Sequence, residues 1–297
     1  MTLYKLIGIS LASSALCAAY YADRRESGRF DTVVLFGDSY SDVGNTYKLS
    51  KGTYPPPHYY NGRFSDGPLW SEYIQELTDA EVLNYAYGGA TVNNNVLQGY
   101  SGFDSDIAVP SIADQIEMHR DFLANNSNEL YGRKFLYVIT ASGNDYNFGG
   151  PTLTPESVAT NIYETSKVLF EPPFAGVHFL FTNSAFDHQA FYMQSNVTIQ
   201  NLALVTRVRH NQHLSNLIRN SGQVNAQIFD MNAFLENELS SSDYEDSSTS
   251  CTQSLILRDI LPKICKNPEK KVYWDQYHLT TAAHRNLAHA IFEAVFS

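Results

Sequence analysis

Val33-Val34-Leu35-Phe36-Gly37-Asp38-Ser39-Tyr40-Ser41-Asp42-Val43-Gly44-Asn45 is the stretch on which the reading of the fold turns. Its first four residues are β-branched or large and apolar, the composition of a short strand. The glycine that follows ends the run, and Ser39 falls on a tight turn at the carboxyl end of the strand. A serine placed there is exposed where a nucleophile is needed, and its own backbone N–H can point at an oxyanion. Taken alone, the block also reads as an ordinary strand-to-helix turn with Asp38 or Ser39 capping the helix.

Working outward, residues 82–86, 135–140, 177–182 and 227–230 have the same character as 33–36, and all but the last end in Gly, Asn or Ser clusters. Between them, 69–77 (with Pro68 in its first turn), 111–123, 155–169, 199–218 and 280–295 space apolar and polar residues as helical faces do. Strands alternating with helices predict an α/β protein, its five-stranded sheet mostly parallel and covered on both sides. Ligands of such sheets bind beyond the carboxyl ends of the strands. Two segments break the pattern: 47–63, which holds Tyr54-Pro55-Pro56-Pro57-His58-Tyr59-Tyr60, and the acidic, Ser-rich tract 236–250, read as a solvated surface loop. No repeat or linker divides the chain, so one domain is expected over 30–297.

Composition narrows the function classes. With 43% apolar residues, 17% charged, 20 Tyr and 17 Phe among 297 residues, the chain can bury a large core and is not globally disordered. Its 31 acidic against 20 basic residues give a net charge of -11, which repels phosphate backbones and argues against a nucleic-acid partner.

Three more blocks lie where chemistry is expected. Asn84-Tyr85-Ala86-Tyr87-Gly88-Gly89-Ala90 and Ser142-Gly143-Asn144-Asp145 follow the second and third strands, offering glycine N–H groups and an Asn amide. Beside a strand end carrying Ser39, these are the donors of an oxyanion hole. Taken separately they read as turn glycines and an Asn suited to left-handed backbone. Tyr273-Trp274-Asp275-Gln276-Tyr277-His278 precedes the last helix. An Asp and a His three apart let a carboxylate hold an imidazole while the imidazole takes a proton from a distant serine. A lone Asp-x-x-His more often pairs a surface Asp with a capping or buried His.

In this order and combination the four blocks closely resemble the GDSL family of SGNH hydrolases, over residues 33–284. The resemblance implies a flavodoxin-like three-layer α/β/α sandwich, a serine esterase without metal or other cofactor, and specific roles. Ser39 would be nucleophile and first oxyanion donor, Gly89 and Asn144 the other donors, and His278 the general base oriented by Asp275. The segment Asn61-Gly62-Arg63-Phe64-Ser65-Asp66-Gly67-Pro68-Leu69-Trp70 is similar to secreted fungal members, the carbohydrate esterase family 16 acetylesterases, and implies acetyl esters of hemicellulose-derived sugars as substrates. Secreted GDSL lipases and lysophospholipases carry similar segments, so a lipid-ester hydrolase is the second expectation and a non-catalytic carbohydrate-binding wall protein a distant third. Arg63 and Trp70 can equally be structural. The remaining histidines, His58, His119, His178, His188, His210, His213, His284 and His289, show no metal-ligand spacing and read as surface or satisfied core residues.

The first 19 residues read as an address. One positive charge at Lys5, an apolar stretch to Ala19 and the small-residue end Cys17-Ala18-Ala19 have the layout of a secretory signal peptide, cut after Ala19. That run is short for a membrane span, and no later stretch is apolar enough for one. Cys251 and Cys265 then remain, an even pair in an oxidising compartment, expected as a disulfide. Asn125 and Asn196 head Asn-x-Ser/Thr sequons and are the expected glycan acceptors if the host is a eukaryote.

Overall fold

The computed structural model describes residues 30–127, 132–141, 143–174, 178–185, 197–247, 249–252 and 263–296. The address at 1–19, the sequon residue Asn196, Ser142 and His188 lie outside the described residues.

Five strands form one all-parallel sheet: β1 (Thr32–Phe36), β2 (Glu81–Asn84), β5 (Phe135–Ile139), β6 (His178–Thr182) and β7 (Ala226–Phe229), in the order β2-β1-β5-β6-β7. A short antiparallel pair, β3 (Tyr100–Ser101) with β4 (Ile107–Ala108), stands apart from it and is not foreseen by the sequence. The strands read from residues 33–36, 82–86, 135–140, 177–182 and 227–230 are all present, displaced by a residue or two at their ends.

The two layers of helices follow from side-chain alternation along the strands. Val33, Leu35, Leu136, Val138 and Leu180 point to one face, where α2 (Trp70–Thr78), α7 (Met231–Ser240) and α8 (Thr281–Val295) bury Ile74, Leu235 and Leu287 against them. Val34, Phe36, Tyr137, Ile139 and Phe181 point to the other, met by α3 (Ile112–Asn125), α5 (Pro155–Ser166) and α6 (Val197–Asn220) through Ile116, Ile162 and Leu214. Because both faces are covered, the central strands β1 and β5 are buried at every position and, apart from Thr32 and the Tyr137 hydroxyl, apolar. The result is an α/β/α sandwich. The chain passes from β1 to β2 on one side and then to β5 on the other, so the crevice at the carboxyl ends of β1 and β5 is the topological switch point.

Two expectations are corrected. Pro68 lies outside α2: the Glu72 carboxylate accepts from the Leu69 N–H at 2.9 Å, which makes Leu69 the cap residue and Trp70 the first helical one. The tract 236–250 is not loop throughout, since α7 runs to Ser240. Asp230 starts that helix by accepting from the Ala233 N–H at 3.0 Å, and Phe234 and Leu235 anchor it to the core. No described helix is long and apolar enough to cross a membrane.

Candidate active site

The turn after β1 is clamped from every side. Gln115 of α3 both accepts from the Gly37 N–H and donates to the Gly37 carbonyl, each at 2.9 Å, while fully buried. Gly37 itself is required by space: a Cβ there would lie 2.4 Å from Thr140 Oγ1. Beyond Ser39 the chain enters α1 (Asn45–Leu49), and the buried Asp42 gathers the N–H groups of Gly44, Asn45 and Thr46 at 2.6 to 3.1 Å. A serine between two such anchors has little freedom.

At the other end of the chain an isolated bridge between Tyr273 and Leu279 pinches the backbone into a tight loop, closed by the Trp274 N–H donating to the His278 carbonyl at 2.7 Å. Asp275 and His278 therefore face each other. Asp275 is fully buried, and its Oδ1 accepts from the Tyr277 and His278 N–H groups at 2.7 and 2.8 Å. His278 Nδ1 stands 2.7 Å from Asp275 Oδ2, so the carboxylate keeps the proton on Nδ1. That leaves Nε2 to accept from Ser39 Oγ, 2.9 Å away. Burial alone would raise the Asp275 carboxyl, but attraction to His278 and the bonds from His278, Tyr59 and the Tyr277 N–H outweigh it and hold the group below its ordinary range.

Ser39, Gly89, Asn144 and His278 line one cleft of about 330 Å³. Gly89 has φ +88°, and a Cβ on it would be 2.0 Å from the Tyr100 carbonyl oxygen, so only glycine fits beneath the β3–β4 hairpin. Asn144 sits in the first turn of α4 (Gly143–Gly149) and donates one amide hydrogen to the Ala90 carbonyl at 2.9 Å, which leaves the second for a ligand. The cleft's rim carries Tyr100 and Phe148, 37% and 36% exposed, their rings edge to face at 6.4 Å, with Ser101, Ser105 and Asn147 beside them. Such an arrangement can take an ester with its carbonyl against N–H donors and its alcohol portion against a mixed aromatic and polar wall.

Burial sets the electrostatics around this relay. It pushes the Asp38 carboxyl up to about 6, partly offset by the Tyr40 N–H and by His278, and the Asp145 carboxyl up to about 7. His284 is driven down to about 3 by burial and then by His278, and so is neutral.

Sequence reasoning missed Gln115, Asp42 and Tyr59. Tyr59, in the loop 47–63, donates its hydroxyl to Asp275 Oδ2 at 2.6 Å with both groups buried. Arg63 and Trp70 are structural: Arg63 pairs with Glu72 at 2.7 Å, and the Trp70 indole donates to Ser41 Oγ at 3.1 Å. Among the other histidines, His119 is satisfied by the Tyr85 and Tyr137 hydroxyls, whereas His210 Nε2 and His284 Nδ1 are buried with no hydrogen-bond partner among the described residues, so the expectation of satisfied core histidines holds only in part. Cys251 and Cys265 are bonded to each other and pack with Trp274 and Tyr59. Asn125 is exposed on the last turn of α3.

The chain is similar to several known proteins. The chain is 24% identical over 291 residues to a thermolabile hemolysin of Vibrio parahaemolyticus, covering 90% of this chain and spanning 64% of the hemolysin's length. It is 29% identical over 143 residues to an acetylesterase of Hypocrea jecorina, 45% of this chain and 40% of that one. The fold is that of a Corynascus thermopiles carbohydrate esterase family 2 enzyme, with a TM-score of 0.50 at 15% identity over 89% of this chain and 65% of that one. The model of the GDSL-like Lipase/Acylhydrolase family matches residues 33–291, from the first residues of β1 through the Asp275–His278 loop and into α8. On that match, over nearly the whole described chain, the protein belongs to the GDSL-like lipase/acylhydrolase family of ester hydrolases.

Proposed function

We propose that this chain is a secreted serine esterase that removes acetyl groups from sugars, those of hemicellulose in particular. The observation that carries the reading is the unbroken relay from Ser39 Oγ through His278 to the buried Asp275 carboxylate. His278 Nε2 takes the Ser39 proton as Oγ bonds to the acyl carbon, and the imidazolium that forms is held by Asp275. The carbonyl oxygen gains a full charge, received by the Ser39 and Gly89 N–H groups and the Asn144 amide. His278 then gives its proton to the leaving alcohol as the ester C–O bond breaks. Water attacks the acyl-enzyme by the same route in reverse, losing a proton to His278, and the bond to Ser39 Oγ breaks as Ser39 regains a proton.

The short acyl group and sugar alcohol are supported by the rim, where two exposed rings adjoin hydroxyl and amide side chains, and by the Hypocrea jecorina acetylesterase likeness. Export is supported by the bonded cysteine pair, and exposed Asn125 suits a glycan. A lipid-ester hydrolase is the second reading, favoured by the exposed Leu202 and Val205 on α6 and by the hemolysin likeness.

Turnover on p-nitrophenyl esters from C2 to C8, acetylated xylo-oligosaccharides and a lysophospholipid separates the two. Preference for C2 and the oligosaccharides is expected; preference for long acyl chains selects the second reading. Ser39→Ala lowers kcat by roughly 10³-fold or more. A folded Ser39→Ala protein with near-normal turnover removes Ser39 from the chemistry.

A further inference from the structure

We infer that Tyr59 is a positioning residue of this relay, its hydroxyl keeping the Asp275 carboxylate ionised and aimed at His278; the inference rests on the triad proposed above. Asp275 has no exposed surface, so its charge must be satisfied by the protein. Its Oδ1 receives two backbone N–H groups, but Oδ2 receives only His278 Nδ1 and the Tyr59 hydroxyl among the described residues. Were the hydroxyl removed, Oδ2 would rely on the imidazole alone.

The ring that carries this hydroxyl is held in place. Tyr59 is 3% exposed, with its ring edge-on to Trp274 at 6.1 Å and close to His58 at 4.6 Å. The bonded pair Cys251 and Cys265 packs into the same apolar cluster. On the backbone side, the Tyr59 N–H donates to the Pro56 carbonyl at 2.9 Å and the Tyr60 N–H to the Ser65 carbonyl at 2.8 Å. A donor 216 residues from its acceptor thus meets it at 2.6 Å without freedom to leave.

The other titratable groups near the pair do not replace it. The charge of Asp275 is felt by His58 and Tyr54, which Tyr277 adjoins, and that of His278 by Asp38 and His284. Of these, only Tyr277 touches the Asp275 carboxylate, through its backbone N–H. A bond to a charged acceptor is stronger than one between neutral groups, and it stabilises the ionised form. Its loss makes the carboxylate more basic, and a more basic carboxylate holds the imidazolium more tightly.

Tyr59→Phe moves the acid limb of the kcat/KM profile to higher pH through that basicity, and lowers kcat about tenfold with KM unchanged because Oδ2 loses the donor that aims it at His278. The same substitution made in an Asp275→Asn background has no further effect, because the hydroxyl then has no charge to hold. A Tyr59→Phe enzyme with the parent kcat and pH profile, or one losing as much with Asn at position 275 as with Asp, overturns the inference. A purely structural tyrosine gives a lower melting temperature with both kinetic readouts intact, and that result also overturns it. Ser39→Ala assayed alongside keeps the two claims apart: turnover by Ser39→Ala defeats the triad itself, whereas an inactive Ser39→Ala beside an unaffected Tyr59→Phe defeats only the role of Tyr59.

Discussion

Asp42 Oδ2 accepts the Gly88 N–H at 2.8 Å, and so ties the turn that carries Ser39 to the turn that carries Gly89. Its other oxygen holds the Gly44 and Asn45 N–H groups on the nucleophile side. One buried carboxylate thus sets the spacing between a proposed nucleophile and a proposed oxyanion donor.

Asp42→Asn keeps one oxygen but turns an NH₂ group toward donors that need an acceptor. Each buried donor left unmet costs about 1–3 kcal/mol. The expected outcome is a lower melting temperature together with a drop of roughly 10- to 100-fold in kcat, as the oxyanion donors lose their alignment. A variant that is destabilised yet turns over normally would show that Gly89 keeps its place without this strut.

For Asn144 the two roles can be read separately. Asn144→Ala deprives the Ala90 carbonyl of its donor, worth about 1 kcal/mol of stability. It also removes a donor to a charge present only in the transition state, so kcat falls by about 10² to 10³ while KM stays near its parent value. Measuring both on one preparation decides the matter, since stability loss with full activity takes Asn144 out of the site.

Asp145 gives the chain a pH-dependent stability of a definite sign. Buried, and near Asp38, its carboxyl keeps a proton up to about pH 7 in the folded chain, against an ordinary value of 3.8 once unfolded. Folding thus takes up a proton between these values, and the stability this supplies is complete below about pH 4 and lost as pH rises to about 7. Asp145→Asn never charges, so its melting temperature should fall less between pH 5 and pH 8 than that of the parent, by about 2–4 °C for each kcal/mol of coupling removed. Parallel curves for the two proteins contradict the assignment.

How much of this could be read from the chain alone depended on whether the cause was local. Residues 33–36 and 135–140 announced themselves because a strand buried on both faces must be largely apolar, and only Tyr137 and Thr140 among them carry polar groups. Asp275 and His278 were legible for a similar reason, lying three residues apart in one tight loop. The start of α2 was misread because proline tolerates the first helical turn, while the deciding contact is the side chain of Glu72 folding back on Leu69. Acidic and serine-rich composition hid α7, whose first turns are fixed by Phe234 and Leu235 in the core. Gln115, Asp42 and Tyr59 could not be found by pattern, because each acts on a residue 46 to 216 positions away. The one hint for Tyr59 was an aromatic, proline-rich loop too apolar to lie idle on the surface.

Ser39 and His278 are separated by 239 positions, and that interval has a meaning in time as well as in space. At about 5–20 residues added per second, a ribosome that has made Ser39 needs roughly 12 to 48 s to reach His278. In the later part of that interval a growing chain can assemble β1, β2 and β5 and display a serine with no base beside it. On the proposed roles, the hydrolytic power of this protein is withheld until His278 has been made, and a product cut short anywhere before Asp275 is inert toward the esters of the cell that made it.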